Sequence, residues 1–118
     1  MKVYIILSLC LLFASCHTKK ATDSASSFRE KLYDRELIDS LNERVLNCGD
    51  TLAYFELQMI HYIGEQRSTG FLYHAVIMSN KYNYKAASND VYEILMDDSS
   101  VLDDKTKEMA NYYLLKSK

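Results

Sequence analysis

The sequence predicts an all-α fold of antiparallel helical hairpins, and three observations carry that expectation. The chain of 118 residues has no proline and three glycines, so little in it interrupts a helix. From Phe28 onward apolar residues recur at threes and fours, and no segment sustains the two-residue alternation of a half-buried strand. Aspartate, serine and glycine stand where that periodicity starts and stops. With 48% hydrophobic residues and ten tyrosines, a chain of this length can bury one small core.

The elements follow in order. Lys2 precedes an apolar run, VYIILSLCLLF, from Val3 to Phe13. Eleven helical residues reach about 16 Å, half of a hydrocarbon core of about 30 Å, so the run is too short to span a membrane. A basic start, a short apolar stretch and the small Ala14 and Ser15 describe a secretory signal over 1–15. Residues 16–27 are polar, lack apolar periodicity and read as a flexible tether, with His17 a solvated member of it. The helical domain is expected over 28–118.

Within that domain, Phe28, Leu32, Ile38, Leu41 and Val45 mark one helix, with Ser27 as its N-cap and Gly49 as its C-terminal cap. Asp50 then caps a second helix that carries Leu52, Phe55, Met59, Ile60 and Ile63 and stops at Gly64. After the loop EQRSTG, a third helix runs from Phe71 to Lys81. KYNYK is a tight turn, Asn83 tolerating a left-handed conformation. A fourth helix sets Ala87, Val91, Ile94 and Leu95 on one face. DDSS breaks it, and Asp103 or Asp104 opens a last helix with Met109, Ala110, Tyr113 and Leu114. About five helices joined by short loops make an antiparallel array.

Two stretches resemble known families. Phe13-Ala14-Ser15-Cys16 looks like the lipobox of bacterial lipoproteins, with Phe13 where that family prefers leucine. The resemblance implies that the thiol of Cys16 is acylated, palmitate included, and that the preceding peptide is removed. The membrane is then a partner through the lipid on Cys16. Cys10 leaves with the signal and only Cys48 remains, so no disulfide framework is expected, and Cys48 reads as a small, at least half-buried apolar residue. His17 follows the cysteine where some bacteria place an inner-membrane retention aspartate, which points to an outer membrane and its periplasmic face.

The second resemblance lies in a period of 34 residues. That offset pairs Ala53 with Ala87, Leu57 with Val91, Ile60 with Ile94 and Leu37 with Phe71. The spacing is similar to a degenerate tetratricopeptide repeat, with hairpins at 34–67 and 68–101 and then a terminal helix. Phe71 with Ala75 fits the first-helix pattern, whereas Lys105 with Met109 does not, and Glu65 and Ser99 stand where the family closes with proline. Related Sel1-like hairpins use more glycine than this chain supplies. In the repeat family ligands lie in a groove lined by first helices, which implies a partner surface at Ile38, Asn42, Leu72, Val76, Ser79 and Asn80.

Little in the sequence points to catalysis. The formal net charge of −2 and the lack of a basic stripe exclude an electrostatic nucleic-acid binder. No HExxH, CxxC, GxSxG or glycine-rich phosphate loop occurs, so no metal or cofactor is expected. A Cys48–His61 dyad is disfavoured because Cys48 ends a helix, where the dipole opposes a thiolate. DDSSVLDD, from Asp97 to Asp104, lacks the spacing and central glycine of a calcium loop and reads as caps and solvated charge. Tyr73, Tyr82, Tyr84, Tyr92, Tyr112 and Tyr113 read first as packing residues. The expected function is a non-enzymatic envelope lipoprotein whose helical domain binds a protein or peptide. The alternatives are an envelope inhibitor or immunity-type protein that neutralises a toxin or enzyme, and an enzyme with an unrecognised site.

Overall fold

A computed structural model describes residues 24–97 and 102–118. The expected signal over 1–15, Cys16, His17 and the tether up to residue 23 lie outside the described residues, as do residues 98–101 of the acidic loop. The described residues form an all-α fold. The helices are α1 (Ser24–Tyr33), α2 (Arg35–Cys48), α3 (Thr51–Met59), α4 (Leu72–Lys81), α5 (Lys85–Asp97) and α6 (Asp104–Lys116). A π-helical turn, Ile60–Glu65, prolongs α3, and a 3₁₀ turn, Thr69–Phe71, leads into α4. Among the described residues, no helix is long and apolar enough to cross a membrane.

The helix expected to run unbroken from Phe28 to the glycine cap is instead two. Asp34 takes an extended conformation (φ −79°, ψ 92°), and its carboxylate accepts from the N–H of Leu37 at 3.1 Å, capping α2. An aspartate that can satisfy an orphan N–H competes with helix continuation, and here it ends α1 after Tyr33. Ser27 is likewise not the N-cap, because α1 already includes Ser24–Ser27. The separation lets α1 fold back over the π turn. A Cβ on Gly64 would stand 2.9 Å from the Phe28 carbonyl oxygen, so only glycine admits the helix this closely. Lys31 adds an ion pair to Glu56 at 3.0 Å.

The junction between α2 and α3 follows the sequence reading. Gly49 sits at φ 65°, and the N–H groups of Gly49 and Asp50 return to the carbonyls of Val45 and Arg44. Asp50 accepts from the N–H groups of Leu52 and Ala53 and binds the Arg44 guanidinium at 2.7 and 3.0 Å. The Ala53 N–H, and after it Arg44, hold this carboxyl below the usual carboxylate range. Asn83 takes the left-handed conformation (φ 55°), and Asp103 caps α6 through Thr106.

Six pairs of residues 34 apart are buried at both positions. Leu41 and Ala75, Val45 and Ser79, Ala53 and Ala87, Tyr54 and Ser88, Leu57 and Val91, and Ile60 and Ile94 are all buried. The left-handed residues Gly49 and Asn83 stand at the same offset. The hairpins α2–α3 and α4–α5 therefore build one continuous core, with small residues where helices cross and larger ones beside them. Tyr113 continues the row of Val45 and Ser79 into α6, whereas Met109, next in the row of Leu41 and Ala75, is exposed.

The face of α3 departs from expectation. Leu52, Phe55 and Met59 were expected to lead its core stripe, but Ala53, Tyr54, Leu57 and Ile60 are buried, and Leu52 and Phe55 are 77% and 59% exposed. The segment TLAYFELQMI is apolar on both sides, and the small Ala53 permits a close helix crossing that Leu52 or Phe55 would obstruct. Cys48 is exposed rather than buried, being the last residue of α2 beside its cap. Of the tyrosines read as packing residues, Tyr113 is buried and Tyr82, Tyr84 and Tyr92 are half-buried, but Tyr73 and Tyr112 are exposed.

Candidate functional site

The six residues expected to line a groove are divided by the structure. Ile38 and Asn42 lie on α2, and Leu72, Val76, Ser79 and Asn80 on α4. Ser79 is fully buried with its hydroxyl 2.7 Å from that of Ser88, so it is a core residue and not a contact for a partner. Small hydroxyl residues satisfy one another here where two helices cross closely. Ile38, Leu72 and Val76 are half-buried against the core. Asn42 accepts from His74 Nε2 at 2.7 Å, and Asn80 is exposed but donates to the Tyr113 hydroxyl at 2.9 Å. Lys116 also reaches Asn80 and the Ser79 carbonyl. These side chains therefore join α2 to α4 and α4 to α6, and their outer edges remain accessible.

A second cluster forms where the π turn meets α4. His61 and His74 have ring centroids 6.1 Å apart, and His74 stacks on Phe71. His61 Nδ1 lies 3.0 Å from Glu65 Oε2 without hydrogen-bond alignment, and His74 Nδ1 is buried without a partner. His61 and Glu65 pack against Gly70, where a Cβ would come 2.6 Å from Glu65 Oε2 and 3.1 Å from His61 Nδ1. Burial, and then the neighbouring His61, hold the His74 ring down to about 4, so it is neutral at pH 7. Among the described residues, no group of three or more His, Cys, Asp or Glu side chains could hold a metal ion. The cluster lacks a nucleophile paired to a base, which acyl transfer would need.

A third polar group ties the hairpins together. The Tyr54 hydroxyl donates to Asp90 Oδ2 at 2.6 Å, with the Tyr54 ring packed on Phe71 and Tyr84. Burial raises both the phenol and the carboxyl, and the Asp90 carboxylate raises the phenol further. A phenol shifted upward is a poorer nucleophile, so the geometry makes this a hydrogen-bonded strut between α3 and α5.

The surface offers two apolar helix faces. On α3, Leu52, Phe55 and the half-buried Met59 follow one another along the outer side. On α6, Met109, Tyr112 and Leu115 are 48%, 58% and 70% exposed. Sequence reasoning missed both faces. Leu52 and Phe55 read as core residues by their spacing, and Met109 stands in the row of the buried Leu41 and Ala75 yet is exposed. An open recess of about 720 Å³ lies beside the contact of α1 with the π turn, lined in part by Arg29, Tyr33, Glu65 and Arg67. No family model, curated protein or solved structure matches this chain.

Proposed function

We propose that this chain is a lipid-anchored protein of the bacterial cell envelope, held through Cys16, whose tetratricopeptide-like helical domain binds a protein or peptide partner. The observation that carries the binding reading is the outer face of α3. Leu52, Phe55 and Met59 stand where the second hairpin has Ala86, Asn89 and Glu93. Large apolar side chains on a rigid helix supply the contact area on which protein recognition concentrates. Ile38, Asn42, Leu72, Val76 and Asn80 offer additional edges along the first helices. The lipobox-like Phe13-Ala14-Ser15-Cys16 supports the anchor, and acyl chains contribute about 0.8 kcal/mol for each buried CH₂.

The binding reading is tested in cells with the full chain carrying a photo-crosslinking residue at Phe55. One discrete adduct is expected, and Leu52→Glu should abolish it without unfolding the domain. Absence of an adduct, or an adduct indifferent to Leu52→Glu, refutes this surface. The anchor is tested separately by Cys16→Ser, which should end palmitate labelling and release the chain from the membrane fraction.

A further inference from the structure

The recess beside the contact of α1 with the π turn brings together two cations from distant stretches of the chain. Arg29 reaches it from α1 and Arg67 from the loop after the π turn, where Gln66 takes the left-handed conformation (φ 56°) and turns the chain out of the helix. Among the described residues neither guanidinium has a hydrogen bond or an ion pair, whereas Lys31, Arg44, Lys81, Lys85, Lys107 and Lys116 each meet an acceptor. The acids nearby face elsewhere. Glu65 Oε2 lies 3.0 Å from His61 Nδ1, and Asp97, which lies beside Arg67 on the far side of the loop, accepts from Ser68. Tyr33 and Thr69 add two hydroxyls to the same walls, and neither hydroxyl has a partner among the described residues.

We infer that this recess binds a phosphate monoester, held between Arg29 and Arg67. A carboxylate is satisfied by a single guanidinium fork. Two guanidiniums and two hydroxyls offer more donors than its two oxygens accept. They match the three terminal oxygens and the charge of about −1.5 to −2 that a phosphate monoester carries. The recess, at about 720 Å³, falls in the range of about 300–1,000 Å³ typical of small-ligand clefts, which leaves room for the organic part of the ester against Leu32 and Tyr33. Two glycines hold the walls where they are. A Cβ on Gly64 would strike the Phe28 carbonyl and push away α1, the helix that carries Arg29, and a Cβ on Gly70 would strike the Glu65 carboxylate.

The recess is open to solvent, so its hold on a phosphate weakens as salt rises. A phosphate monoester reaches it either in solution or as the headgroup of a membrane lipid. Under the anchor proposed above, the eight residues from Cys16 to Ser24 span at most about 28 Å, which keeps α1 near the headgroups. The site itself does not rest on that anchor, nor on the partner proposed for α3, because it uses neither Cys16 nor the outer face of α3.

The test follows arginine modification by phenylglyoxal in the full chain, read residue by residue by mass spectrometry. The exposed Arg35 of α2, outside the recess, is the reference. With the chain in phosphatidylcholine vesicles, glycerol phosphate should slow the labelling of Arg29 and Arg67 and leave Arg35 unchanged. Phosphatidic acid in place of part of the phosphatidylcholine gives the second arm. Protection there without added glycerol phosphate assigns the lipid headgroup as the source, and protection by glycerol phosphate alone assigns a soluble ester. Arg67→Gln should raise about tenfold the ester concentration that half-protects Arg29, the loss of one charge-assisted contact. Both arginines are exposed, so the circular dichroism of this variant should match the wild type. Unchanged labelling of Arg29 and Arg67 in both arms, equal slowing at Arg35, which signals salt screening alone, or a half-protection indifferent to Arg67→Gln would overturn the inference.

Discussion

The hairpins α2–α3 and α4–α5 repeat one interior and carry different exteriors. Inside, Ala53 matches Ala87, Leu57 matches Val91 and Ile60 matches Ile94, all buried. Outside, Leu52, Phe55 and Met59 on α3 stand where α5 has Ala86, Asn89 and Glu93. Packing constrains the first set, because a buried methylene gained or lost is felt by every neighbour. Nothing in the fold requires the second set to be apolar, and solvent would favour the polar version carried by α5. The exterior of the first hairpin thus departs from its structural counterpart in a way stability does not explain, which favours α3 as a recognition surface.

The interior half of this comparison is broken most severely by Leu57→Ala, expected to cost about 3 kcal/mol, with Val91→Ala at the equivalent site costing about 2 kcal/mol. Chemical denaturation of both variants checks the pair. A negligible loss at either site would show that the two hairpins do not share one core. The turns come next. Gly49→Ala forces a left-handed backbone on alanine and drives a methyl into the Tyr82 ring, whose hydroxyl donates to the Leu46 carbonyl. We expect a loss of about 2 kcal/mol. Asn83→Gly at the matching turn should change stability by less than about 0.5 kcal/mol, since glycine adopts the same conformation freely. Thermal melts of the two variants give the contrast directly.

The smallest effect sharpens the comparison through a group that only the second hairpin has, since the residue 34 before His74 is Ser40. The His74 ring is held at about 4 in the folded chain against an ordinary 6.5. Below pH 6.5 the unfolded chain takes up this proton first, so stability falls as pH drops from about 6.5 to about 4 and the change then levels off. Burial, and then the neighbouring His61, set the direction, and protonating the orphan Nδ1 would also create a buried N–H without an acceptor. The ring is part-exposed and solvent screens it, so we expect about 1 kcal/mol, well under the unscreened value. Denaturation at pH 7 and pH 4.5 should show the wild type losing that much more than His74→Gln, and an equal loss in both would remove His74 as the source.

Much of the fold is legible because its signals are local. Gly49 with Asp50, Asn83 and Asp103 each act on a backbone group within a few residues, and the structure places every one in the role its chemistry suggests. Asp34 carried the same signal as Asp50. The apolar row running from Phe28 through Leu32 to Ile38 masked it, since that row reads as one helix whether or not the chain bends at Asp34. The candidate surfaces were less legible. Ser79 looks like an outward polar residue until Ser88, nine positions on, is found to meet its hydroxyl in the core. The two histidines, thirteen positions apart, become one cluster only when the π turn brings His61 beside α4.

By itself the sequence determined the helical class, the caps at Asp50 and Asp103, the left-handed turns at Gly49 and Asn83, and the 34-residue rhythm of small and large apolar residues. Those features depend on backbone dihedrals and hydrogen bonds that close within a turn or on a period that one chain displays in full. Only the tertiary structure decided which of two apolar faces α3 buries, that α1 bends back onto Gly64, and that Met109, Tyr112 and Leu115 of α6 stand exposed. Each of those outcomes depends on whether another helix occupies the adjacent space, and a helix's own residues do not record what lies beside it.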